Sequence, residues 1–140
     1  MQHKTAMVVN KAWRDDVTKV LNATGHVAQA LGRLQTANER GAFVDYKTSD
    51  GWLLPAISRG PYVLLTGSPA KMWALLQAGK DNSLSVSGFV ETMFVGGTDV
   101  QLEETVRNPH DAHTIVCVGV CGAEDIVNNL TKKFSLFRTS

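Results

Sequence analysis

Apolar positions along this chain alternate between short continuous runs and longer stretches in which they recur every three or four residues. Residues 5–10 form the first run and close on a polar bend, which predicts a strand. In the stretch that follows, Val17, Val20, Leu21, Thr24, Val27, Ala28 and Leu31 share one side of a helix. Asp15 and Asp16 suit its positive amino end, and Gly32 is a stop signal. The opposite side carries a polar line of Lys19, Asn22, His26 and Gln29.

Two short apolar pieces around a Ser49-Asp50-Gly51 turn predict a hairpin-like excursion. Residues 61–66 read as a strand, and Gly67, Ser68 and Pro69 supply turn, N-cap and first helical residue for a helix burying Met72, Trp73, Leu75 and Leu76, with Gly79 as its end. Leu84, Val86, Gly88 and Val90 alternate as in another main strand, which ends at Glu91 and Thr92. A short inserted helix is predicted over 98–107, closed by Asn108 and Pro109. The uninterrupted run at 114–120 predicts a strand buried on both faces and central in its sheet. A last amphipathic helix over 122–133 presents Ile126, Val127 and Leu130 before an apolar tail.

Strands alternating with helices predict an α/β fold: a three-layer α/β/α sandwich with a mixed, mostly parallel sheet of about four strands. At 140 residues, 44% of them apolar and 19% charged, one domain spanning 1–140 is expected. A formal net charge of +1 provides no global field for DNA, and counts against tRNA without excluding it. No apolar run is long enough for a signal peptide or a membrane span, so a cytoplasmic location away from membranes is expected. Cys117 and Cys121 read as reduced thiols, Cys117 in the core and Cys121 at a strand–helix junction.

The stretches KVLNATGHVAQAL, from Lys19, and IVCVGVCGAEDIVNNLTKKFSLF, from Ile115, resemble a bacterial family of unknown function numbered two thousand. That family groups structurally with type II peptidyl-tRNA hydrolases, so the resemblance implies a domain of their shape. Lys19 and His26 match a Lys and a His of the hydrolases' helix motif at the same separation. The chain departs from the motif in having no Gly before Lys19, Ala23 in place of a Gln, and Glu91 in place of a strand-end Asp. The hydrolases' Gly-Arg-Thr stretch is also missing.

From the resemblance and the strand-end position of Glu91, Lys19, His26 and Glu91 are the candidate catalytic residues, with Lys19, Asn22 and Thr92 as ligand-binding ones. The chemistry implied is hydrolysis of a small acyl or aminoacyl ester or amide. The alternative is a non-catalytic module that binds a small anionic metabolite, or a protein partner. No cofactor is expected, because Gly67-Ser68-Pro69 lacks a phosphate loop's ending. His110, Asp111 and His113 lack the spacing of a known metal site, and none is expected there. Phe134, Leu136 and Phe137, crowded at the tail, suggest a homodimer, as do the dimers common among the resembling hydrolases.

Overall fold

The computed structural model describes residues 2–35 and 42–139. The first apolar run becomes β1 (His3–Asn10), followed by α1 (Val17–Leu34). The excursion is a separate two-stranded hairpin of β2 (Phe43–Lys47) and β3 (Leu53–Ser58). Next come β4 (Tyr62–Gly67), α2 (Pro69–Asp81), β5 (Ser85–Val90), α3 (Thr98–Val106), β6 (Ile115–Ala123), α4 (Glu124–Thr131) and β7 (Ser135–Leu136). Both sequence stop signals misplace a helix end, since α1 passes Gly32 and α2 passes Gly79. Gly79 serves packing instead: a Cβ there would come within 2.5 Å of Val86 Cγ1, so its absence lets α2 settle close to the sheet.

The main sheet has five strands in the order β5-β6-β1-β4-β7. Only β1 and β4 pair in parallel, while β1–β6, β5–β6 and β4–β7 are antiparallel. The expectation of a mostly parallel sheet is therefore corrected. β1, β4 and β5 do run the same way, but β6 returns between β1 and β5 in the opposite sense. An apolar run buried on both faces reports burial and carries no information about direction.

Layers form on both sides of the sheet. Ala6, Val8, Val118 and Val120 pack with Met72 and Leu75 of α2 and Val127 of α4. Met7, Val9, Val116 and Cys117 pack with Val20, Ala23, Val27 and Leu31 of α1. β6 is interior, as its apolar run predicts, with its first eight residues, Ile115 to Gly122, buried. The tail spends most of its apolar surface within the chain. Phe134 packs on the α2–α4 core and Phe137 on the α1 core, which leaves Leu136, at 60% exposure, on the edge strand.

Candidate functional site

β1 ends at buried Asn10, whose side chain organises the next turn. Its Nδ2 donates to the Ile115 carbonyl at 2.8 Å, and its Oδ1 accepts from the Ala12 N–H at 3.0 Å. The chain then makes one 3-10 turn over Lys11–Trp13, and Asp16 caps α1. Trp13 and Lys19 are thereby brought to the end of the sheet where β1 and β5 finish. From the β5 side, a second 3-10 turn over Glu91–Phe94 delivers Phe94.

Phe94 stacks on Trp13 at 5.7 Å and 22°, and touches Phe89 at 4.8 Å, while Phe89 lies 5.7 Å from the His26 ring. Four rings thus run in a row along α1. The Lys19 ammonium sits 5.4 Å from the Trp13 ring centre and 5.6 Å from that of Phe94. At these distances the ring quadrupoles attract the cation. Its carboxylate neighbour, Asp16, is 3.9 Å away, and the Lys19 side chain is 51% exposed. At the other end of the row, His26, Ser87, Phe89, Met93, Thr98 and Gln101 line a cavity of about 310 Å³ between α1, β5 and α3.

The five residues proposed from sequence therefore separate into two groups. Lys19, Asn22 and His26 lie together along the exposed edge of α1. Glu91 and Thr92 point their polar atoms elsewhere. Glu91 Oε2 accepts from the Thr114 N–H at 2.8 Å, and its Oε1 lies 3.0 Å from His113 Nδ1. His113 Nε2 lies 2.9 Å from the Thr105 carbonyl oxygen. Both ring nitrogens face acceptors, an arrangement that the doubly protonated ring satisfies with both N–H groups donating. The Glu91 hydrogen bond, aided by the Thr105 carbonyl, raises the His113 pKa above its ordinary value. Thr105 donates its hydroxyl to the Gln101 carbonyl at 2.7 Å, so the Thr92 hydroxyl donates to Thr105 Oγ1 at 2.5 Å. Glu91, Thr92, His113 and Thr105 together clamp α3 to the ends of β5 and β6.

Sequence reasoning missed this clamp, as it missed the aromatic row. It treated His113 as part of a His110, Asp111 and His113 triplet without the spacing of a metal site. A signal was present only for His113, which directly precedes a buried strand and so had little room to stay solvated. Cys121 is also corrected: it lies inside β6, buried, with Thr5 Oγ1 at 3.2 Å and Gln35 Nε2 at 3.3 Å from its sulfur. Cys117 is core as expected, and burial pushes its thiol up to about 12.

The family model described as protein of unknown function (DUF2000) matches residues 3–138, and the chain belongs to that family. Among solved structures, the chain is similar to a protein of unknown function from Agrobacterium strain C58, with a TM-score of 0.68 and 19% sequence identity over 99% of each chain. At that identity the likeness speaks for the fold alone. No curated protein matches.

Proposed function

We propose that this member of the DUF2000 family is a binding module for a small organic anion, taken up along α1 between Lys19 and His26. The observation that carries the reading is the position of the Lys19 ammonium over Trp13 and Phe94, half exposed, at the head of a ring-lined crevice. A carboxylate or phosphate would meet a fixed cation there, and an apolar or planar body would lie on Phe94, Phe89 and Met93. Asn22 supplies a further hydrogen-bonding side chain on the same edge of the helix.

The hydrolase reading implied by the resemblance to type II peptidyl-tRNA hydrolases asks for a base beside this ligand. Glu91 is committed to His113 and Thr114 on both oxygens, so of the three candidate catalytic residues it is the one the crevice lacks. His26 lines the cavity and is the group through which turnover would have to run. Binding without catalysis therefore accounts for more of the geometry.

Titration of benzoate and phenyl phosphate by calorimetry tests the reading. A charge-assisted contact contributes about 1.5–3 kcal/mol, so Lys19→Ala should weaken binding by roughly 10- to 100-fold. Its unfolding free energy should change by less than about 0.5 kcal/mol, as for most exposed helix substitutions. Equal affinity in wild type and variant would remove Lys19 from the site.

A symmetric homodimer remains part of the proposal. β7 is a two-residue edge strand with Leu136 exposed, and edge pairing across a two-fold axis would cover it. Light scattering at micromolar concentration should give twice the mass of the 15.2 kDa chain. A single-chain mass would dismiss the dimer.

A further inference from the structure

On the opposite face of β5 from the Lys19 crevice lies a second cavity, of about 300 Å³. Its floor and far wall are apolar, built from Trp73 and Leu76 of α2, Val90 of β5, Ile115 of β6 and Met93. Its remaining wall is the segment from Thr105 to His113, which contributes only hydrogen-bonding side chains. The space exists for a local reason. Position 88, in the middle of β5, is glycine, and a Cβ there would stand 3.4 Å from the Cys117 carbonyl oxygen and from Val118 Cγ1, and 3.5 Å from Leu76 Cδ1, which lines the cavity. A larger side chain at 88 would compete with Leu76 for room at the cavity wall. An apolar recess walled by a tryptophan and edged by a few polar side chains has the make-up of a small-molecule site.

The polar wall is divided in its commitments. Thr105 donates to Gln101, and both His113 nitrogens are held by Glu91 and Thr105. When His113 is protonated, the Glu91 carboxylate 3.0 Å away offsets it, and the pair then presents no net charge to an occupant. Asn108 and His110 line the cavity with side chains that the clamp does not use, and His110 lies edge-on to Trp73 at 5.0 Å. An asparagine amide presents donor and acceptor side by side, and a histidine beside it can complete either role. A charged guest would lose its hydration against Trp73, Leu76, Val90 and Ile115 without an opposite charge in return.

We infer that this cavity is a second binding site, distinct from the Lys19 crevice, for a small neutral aromatic molecule bearing an amide-like donor–acceptor edge. The ring rests against Trp73, Leu76 and Met93, and the polar edge meets Asn108 and His110. Gly88 and Met93 line both cavities, and Met93 packs on both cores, so these two residues form the wall that the two sites share.

Benzamide is the probe, with benzoate as its charged isostere, each titrated by ligand-observed NMR and calorimetry against the full chain. Benzamide should bind the wild type at least tenfold more tightly than Gly88→Val, which fills the space with a residue well suited to a strand. Asn108→Ala, on an exposed turn, should also weaken it severalfold, and this variant decides the matter if Gly88→Val fails to fold. Benzamide that binds wild type and both variants alike, or that does not bind the wild type at millimolar concentration, overturns the site. If benzoate displaces the same NMR contacts as tightly as benzamide, the neutral class is wrong and the proposal falls with it.

Discussion

Gly119→Val should lower the unfolding free energy by about 3 kcal/mol, at the upper end of the range for overpacked cores. It should also weaken benzoate and phenyl phosphate binding along α1. β6 is hydrogen-bonded on one side to β5 and on the other to β1, so its backbone has no room to yield. A Cβ at 119 would stand 2.8 Å from Leu31 Cδ1 and 2.8 Å from Val27 Cγ1, and 3.4 Å from Met7 Cε. Separations under 3 Å require movement; the Leu31 methyl can turn aside, whereas the β-branched Val27 is held in one favoured helical rotamer and yields only if α1 shifts. Val27 adjoins His26 and itself lines the crevice, so lifting α1 displaces the ligand-facing edge together with the core contacts. Urea unfolding followed by circular dichroism gives the first effect and calorimetry the second. Stability within about 0.5 kcal/mol of wild type would mean that α1 does not bear on β6 at this point.

The second large effect is a pH dependence carried by the clamp. The folded-state pKa of His113 is raised above its ordinary 6.5, first by the Glu91 hydrogen bond and then by the Thr105 carbonyl. A group whose pKa is raised on folding contributes stability that is fully present below the unfolded value. That contribution fades as pH climbs from 6.5 through the folded value. The wild-type unfolding midpoint should therefore fall across this window, as the imidazolium at 4% exposure loses its proton and one donor of the clamp is lost. Glu91→Gln removes the largest cause while keeping the side chain's shape. Below pH 6.5 it should be less stable than wild type, with the difference between the two narrowing as pH rises. Thermal unfolding of both proteins at matched ionic strength measures that difference and cancels the other titrating groups. A constant difference from pH 6 to 9 would show that the His113 proton is not linked to folding through Glu91.

Much of the framework follows from local pattern. The spacing of Val20, Val27 and Leu31 marks the buried side of α1, although Leu21 and Val17 from the same apolar set are exposed and Ala23 is buried in their place. A three-and-four rhythm defines a side of a helix only to within a residue or so, because the facing sheet selects which part of the stripe is covered. The run at 114–120 announces an interior strand, and the polar line of Lys19, Asn22 and His26 is legible because helical spacing is local.

Direction and distant contact are different in kind. Nothing in residues 85–123 records that β6 runs antiparallel to β5 and β1, since the chain can reach the same sheet position from either end. The partner of Glu91 lies 22 residues away at His113, and the aromatic row joins Trp13 of one turn to Phe94 of another. Sequence by itself determined the alternation of strands and helices, the burial of β6 and the side of α1 that carries Lys19 and His26, because each rests on neighbours within a few residues. Tertiary structure alone decided the strand directions, the seating of Lys19 against two stacked rings, and the capture of Glu91 by His113 away from the crevice, because each depends on how segments far apart in the chain are brought together when the sheet closes.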